Sequence, residues 1–301
     1  MMNPESASLP ALELLRSARR VGLALSGGSA RCSFQIGVIE SLLEMGVRPS
    51  LTVSVSGGVW NAMALAAGTE GRLRHYWRTF IRMPSVDFRN LLREHSPYRF
   101  SEMHRRTFFK YVGAGRLHRP EALPVWIGVT RLRDRQAVYF DARTFGDPLT
   151  LGLASNYVPP FFTHAPRIDG ERYGDGGLAD NLPYRKAFDE GCDAVVLVTM
   201  KGESEGLPYR NSHDPLHEIL SPYRERTVVI RPRHRLPCSW TERSWPVLVQ
   251  IIEMGRLRAR EVILGESHPE TEQRGEMHRV GKALSRLFLT RVLAATAPRV
   301  P

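Results

Sequence analysis

Two strand-turn-helix units follow one another within the first 70 residues, and they constrain the fold more than any other feature of the chain. Residues 21–26 alternate small and branched apolar side chains and run straight into Gly27-Gly28, the pattern of a buried strand ending in a tight turn. Behind the turn Phe34, Gly37, Val38, Ser41 and Leu42 recur at helical spacing, and the pattern stops at Gly46 as a helix end should. The unit then repeats: residues 51–55 read as a strand, Ser56-Gly57-Gly58 as a turn, and residues 59–67 as an apolar helix closed by Gly68. Two such units in succession predict α/β architecture.

Further strands are predicted at residues 123–129, 136–140, 194–199 and 227–230, and helices at 183–190 and 247–264. Residues 71–120 are dense in Arg, His and aromatic side chains and read as an inserted helical cap. Residues 201–225, polar, aperiodic and containing proline, read as a surface loop. No internal repeat beyond the two units and no low-complexity tract interrupts the 301 residues, whose hydrophobic fraction of 42% suffices for a sizeable core.

The formal charge of +11 and a pI near 10.0 attract polyanions, which admits nucleic acid and anionic membrane alike. The arginines are spread along the chain, however, with no zinc-finger spacing, basic zipper or RNA-binding aromatic motif, so no nucleic-acid partner is expected. Cys32, Cys192 and Cys238 are odd in number, far apart and without metal-ligand spacing. They predict reduced thiols, no metal and a cytoplasmic setting. The first 20 residues lack the apolar core of a signal peptide and no stretch is long enough for a transmembrane helix, so membrane contact is expected to be peripheral.

Three segments carry candidate chemistry. Ser56 sits in Ser54-Val55-Ser56-Gly57-Gly58, a strand-to-helix turn that would expose its hydroxyl beside the first N–H groups of a helix. Ser26-Gly27-Gly28-Ser29-Ala30-Arg31 supplies a second such turn, able to receive an oxyanion. It lacks the endings of a Walker A loop or a dinucleotide fingerprint. Asp175 lies in Tyr173-Gly174-Asp175-Gly176-Gly177, where glycines let the backbone bend closely around a carboxylate. Each segment alone also reads as an ordinary turn.

Together they resemble the three motifs of the patatin-like phospholipase family, in the family's order: SGGSARCSFQIGV, SVSGGVWNA and YGDGGLADNLP. The intervening SNYVPPFFTHAPRIDGERY and the GCDAVVLV strand extend the resemblance over residues 21–200. It implies a three-layer α/β/α sandwich with a central, mostly parallel sheet and helical insertions. A 1–18 extension would precede one hydrolase domain, 19–301. It also implies a lipid acyl hydrolase that acts on phospholipid or a related ester, needs no cofactor and uses a Ser-Asp dyad without histidine. Ser56 would attack the acyl carbonyl, Asp175 would accept its proton, and an acyl-enzyme would then be hydrolysed. Gly27, Gly28, Ser29 and Arg31 map onto the oxyanion loop. Gly58, Asn61, Gly176 and Gly177 fall on positions that support the motifs.

The departures from the family pattern replace glycines: Ser29 and Cys32 in the loop, Ser54 ahead of the elbow. A Cβ costs about 1–2 kcal/mol where positive φ is required, which motivates a second reading, a catalytically weakened relative that binds lipid or a protein partner. His164 is the candidate for a histidine-dependent mechanism, and Cys32 for a reactive thiol, although a small buried residue is its commoner role. Residues 100–112 and 280–293 mix aromatic and basic side chains, as interfacial helices on an anionic membrane do and as helices packed on their own domain also do.

Overall fold

The protein is described by a computed structural model covering residues 11–94, 96–162, 165–203, 220, 222–239 and 241–267. A short helix, α1 (Ala11–Ser17), buries Leu15 and lies within the expected extension. It precedes the first strand-turn-helix unit, formed by β1 (Val21–Leu25), a 3-10 turn (Ser29–Cys32) and α2 (Ser33–Glu44). The second unit is β2 (Leu51–Val55) followed by α3 (Gly58–Ala66). The predicted strands appear as β3 (Val125–Arg131), β4 (Ala137–Asp141), β7 (Ala194–Val198) and β8 (Thr227–Ile230). The helix α8 (Pro148–Ser155) and a small hairpin of β5 (Arg167–Ile168) and β6 (Glu171–Gly174) were not anticipated.

The sheet runs β5-β6-β3-β2-β1-β7-β8, with β4 also paired to β3. Strands β3, β2, β1, β7 and β8 are mutually parallel, while β4, β5 and β6 pair antiparallel. In register, Leu25 at the end of β1 lies opposite both Ser54 and Val198. The carboxyl ends of β1, β2 and β7 are therefore level, and the turns that leave β1 and β2 emerge side by side. A crevice beyond the carboxyl ends of parallel strands is where open α/β sheets place their ligands.

Because strand side chains alternate between faces, the same strands feed two cores. Leu23 and Leu25 of β1 and Val196 and Val198 of β7 join the larger core with α2, α3, α4 (Leu73–Arg82) and α10 (Trp245–Leu264); Ala24, Val195 and Leu197 face the smaller one, beneath α9 (Tyr184–Asp189). Helix layers on both faces make the three-layer sandwich. Helix α10, the last among the described residues, packs along α2 at a crossing made by two glycines. A Cβ on Gly37 would stand 1.8 Å from the Ile252 carbonyl oxygen, and one on Gly255 would stand 2.0 Å from that of Phe34.

The expected cap, 71–120, contains α4 (Leu73–Arg82), α5 (Asn90–Glu94), α6 (Phe100–Tyr111) and α7 (Ala114–Leu117). Helix α6 turns Met103, His104, Thr107 and Phe108 inward, one stripe at helical spacing, so it packs on its own domain and leaves Phe109 exposed. The stretch 280–293 and most of the 201–225 loop lie outside the described residues, as does His164. The chain divides after Glu266 into two units, and apart from Ser267 the second lies outside them too. No helix among the described residues is long and apolar enough to cross a membrane.

Candidate active site

Ser56 occupies the bend between β2 and α3 with φ of +52°, the left-handed region that costs a residue bearing a Cβ about 1–2 kcal/mol. Two consecutive residues at the end of α8 hold it there. The Ser56 N–H donates to Ser155 Oγ at 2.8 Å, and Asn156 Nδ2 donates to the Ser56 carbonyl at 2.9 Å. Ser155 Oγ in turn donates to the Gly128 carbonyl at 2.6 Å, which ties the bend to β3. Both backbone polar groups of the strained residue are thus satisfied by side chains that packing has already fixed.

The turn after β6 delivers Asp175 to the same place. Its backbone is held by the Asp175 N–H donating to the Tyr157 carbonyl at 3.1 Å and by Thr130 Oγ1 donating to the Asp175 carbonyl at 2.7 Å. Gly176 is obligatory for the approach, since a Cβ there would stand 2.2 Å from the Gly128 oxygen. Ser56 Oγ donates to Asp175 Oδ2 at 2.6 Å, and the other carboxylate oxygen accepts the Gly177 N–H at 2.8 Å. Burial pushes the Asp175 carboxyl up to about 6, against the two hydrogen bonds, from Ser56 and from Gly177, that favour its ionised form. No imidazole intervenes in this contact.

The turn after β1 closes the third side. Gly57 packs on it so tightly that a Cβ would stand 3.0 Å from the nitrogen and Cα of Ser29. The Gly27 N–H is taken by Asn181 Oδ1 at 2.9 Å. The amides of Gly28 and Ser29 have no acceptor among the described residues. Behind the turn runs a buried polar chain: Trp77 Nε1 donates to Asn61 Oδ1 (2.8 Å), Asn61 Nδ2 to the Cys32 carbonyl (2.8 Å) and Gln35 Oε1 (2.9 Å), and Gln35 Nε2 to the Ser26 carbonyl (2.7 Å). Asn61 therefore braces the turn from beneath, and Gly58 is packed against the Ser26 carbonyl.

Of the three residues that stand where the family has glycine, only Ser29 adopts positive φ, at +52°. Cys32 sits at φ −63°, and Ser54 is an interior residue of β2 paired with Leu25 and Ile127. Ser54 Oγ is buried without a hydrogen-bond partner. The thiol of Cys32 is fully buried and burial holds its pKa far above the usual range, so it stays a protonated, inert filler.

Ser56, Asp175, Gly27, Gly28, Ser29, Arg31 and Gly177 all line one cavity of about 510 Å³. Its far wall is aromatic, built by Trp77 and Phe80 of α4, Phe100 of α6, and Phe161 and Phe162. His104, also in the wall, stacks on Trp60 and on Phe80, each at 4.3 Å between ring centroids. Burial alone pushes its pKa down to about 3, so it stays neutral. Sequence reasoning missed Ser155, Asn156 and Asn181, although all three stand inside the strings that carry the family resemblance. It missed the aromatic wall as well, because Trp77, Phe80 and Phe100 read as ordinary core positions of amphipathic helices. Among the described residues no group of His, Cys, Asp and Glu is placed to hold a metal ion.

The fold is like that of VipD from Legionella pneumophila, with a TM-score of 0.51 and 14% identity over 82% of this chain and 67% of that one; it overlaps the type III effector ExoU less closely, with a TM-score of 0.42. The sequence assigns the chain more closely than the fold does: it belongs to the patatin-like phospholipase family, whose sequence model matches residues 23–188. Uncharacterized NTE family proteins of Mycobacterium bovis and Mycobacterium tuberculosis are 28% identical to it over 218 residues, 68% of this chain. The match spans 56% of the length of those relatives.

Proposed function

We propose that the protein is a serine lipid acyl hydrolase, an esterase or phospholipase A acting on lipid or phospholipid esters. The observation that carries the reading is the 2.6 Å contact between Ser56 Oγ and Asp175 Oδ2 at the floor of an aromatic cavity. Asp175, with its pKa near 6, is ionised at neutral pH yet basic enough to take the hydroxyl proton as Ser56 attacks an acyl carbonyl. The free amides of Gly28 and Ser29 would receive the oxyanion, with the Arg31 guanidinium adding positive potential, and Asn181 would fix the loop through Gly27. The protonated Asp175 would return the proton to the departing alcohol. Water, activated by the same carboxylate, would then release the acyl group from Ser56. The aromatic wall suits a hydrocarbon chain, and the mechanism calls on no cofactor.

The weakened-relative reading has one support, the positive φ of Ser29. The contact geometry of Ser56 and Asp175 favours turnover. The test is labelling by a fluorophosphonate probe, with hydrolysis of short-chain esters and phospholipid vesicles followed in parallel. Labelling at Ser56, lost in Ser56→Ala, together with hydrolysis lost in Ser56→Ala and Asp175→Asn, is expected. Folded wild-type protein that neither labels nor hydrolyses overturns the proposal.

A further inference from the structure

Between α4 and α6 the chain makes an excursion, residues 84–99, with two unlike ends. Its neck is closed by an antiparallel bridge between Val86 and Tyr98, by the Asp87 N–H donating to the Pro97 carbonyl at 2.7 Å, and by the Arg99 N–H donating to that of Ser85 at 3.0 Å. Ser96 Oγ donates to the Pro160 carbonyl at 3.0 Å, which fastens the neck to the loop that carries Phe161. Ser85 and Tyr98 line a second cavity of about 410 Å³, which shares Ser29, Trp77, Phe80, Phe100 and Phe161 with the catalytic one. The neck therefore lines a cavity that adjoins the catalytic one.

The tip carries exposed apolar side chains. Phe88 is 76% exposed and Leu92 88%, the two most exposed large hydrophobic residues among those described, and Leu91 between them is 49% exposed. The hairpin-like neck and α5 hold all three on one protrusion, a costly arrangement for a surface that meets only water. Leu178, which lines the catalytic cavity, is itself 71% exposed. Around the tip the charge is lopsided. From Arg82 to Lys110 the sequence carries seven basic residues (Arg82, Arg89, Arg93, Arg99, Arg105, Arg106, Lys110) against three acidic ones (Asp87, Glu94, Glu102). The exposed side chains of Arg82 and Arg89 have no carboxylate partner among the described residues. Exposed Phe and Leu on a segment that also carries Arg82 and Arg89, neither with a carboxylate partner among the described residues, match the two layers of an anionic bilayer surface, acyl chains beneath and phosphates above.

We propose that the tip, Phe88 with Leu91 and Leu92, inserts into an anionic lipid bilayer and seats the mouth of the joined cavities on it. The helix α6 that the aromatic and basic pattern singled out is not the anchor, because its apolar stripe is spent on the core. The proposal rests on the lipid-hydrolase reading for its purpose, but its test does not depend on turnover.

The test uses the full chain carrying Ser56→Ala, so that lipid is not consumed, with sedimentation on vesicles of phosphatidylcholine alone and of phosphatidylcholine mixed with phosphatidylglycerol. Binding to the anionic vesicles is expected, falling at least about tenfold in Phe88→Ser/Leu92→Ser and unchanged in Phe109→Ser. Equal thermal unfolding midpoints with and without the tip substitutions check that the variants fold. A Phe88→Trp reporter should shift to the blue on the anionic vesicles and be quenched by lipids brominated high on the acyl chain. An unquenched reporter on bound protein, equal binding of the double variant, or no binding to either vesicle overturns the proposal. So does a tip-dependent dimer or protein complex in place of vesicle binding.

Discussion

Replacing Asp175 by Asn should stabilise the protein while abolishing its activity, and the size of the gain follows from the burial of the carboxylate. In the folded state its pKa is raised from an ordinary 3.8 to about 6, so folding favours the protonated form. The unfolded chain releases that proton more readily. Stability from this group is therefore complete below pH 3.8 and is lost as pH rises through 6. At about 1.4 kcal/mol per pH unit, keeping the carboxylate ionised at pH 8 costs about 3 kcal/mol. An amide keeps an acceptor for the Gly177 N–H and offers its NH₂ to Ser56 Oγ, so both contacts survive without the charge. Urea unfolding at pH 8 should show Asp175→Asn more stable by about 3 kcal/mol, with the advantage gone near pH 4. In wild type kcat/KM should fall below pH 6 as Asp175 takes up its proton. A variant less stable than wild type at pH 8, or one whose advantage does not change with pH, would refute the assignment of strain to the buried charge.

Three further outcomes follow from the geometry. Ser29→Gly relieves the positive φ and should raise stability by about 1 kcal/mol or less, once the extra freedom of glycine in the unfolded chain is subtracted; denaturant titration checks it. Asn181→Ala strips the acceptor from the buried Gly27 N–H, so it should cost about 1–3 kcal/mol and slow fluorophosphonate labelling of Ser56 without preventing it. Gly37→Ala drives a methyl group into the Ile252 carbonyl and should destabilise by about 1–3 kcal/mol in thermal unfolding, whereas Gly71→Ala, with open space around it, should leave the midpoint where it is.

The parallel centre of the sheet was legible because strands buried on both faces are short runs of branched apolar and small side chains bounded by turn signals, as 21–25, 51–55 and 194–198 are. The β5–β6 hairpin was not. Arg167, Glu171 and Arg172 give it no apolar pattern, and it is held by backbone bonds on either side of Asp169 and Gly170, both at positive φ. Helix α8 escaped for a related reason, since Pro148 at its start and Gly152 inside it read as loop. At the site, glycine-rich strings marked where the chain bends but not how. The sequence cannot say that Ser29 takes the left-handed conformation while Cys32 and Ser54, glycine positions of the same family, need no such freedom. Nor could spacing reveal that Ser155 and Asn156 clasp Ser56 across about 100 residues of chain, because that contact is made by tertiary packing of α8 on β3.

The glycine crossing of α2 and α10 bears on where the protein can be cut. The segment that matches the family, 23–188, holds Ser56, Asp175 and the turn after β1, and would look like a sufficient minimal enzyme. Yet the helix that begins directly behind that turn leans, backbone to backbone at Gly37, on a helix 200 residues downstream. A truncated chain ending at β7 would expose the seam of α2 to water and leave β7 an unpaired apolar edge, which recruits other chains into aggregates. Trimmed versions of this protein, for expression or for fusion, should therefore keep everything through Leu264.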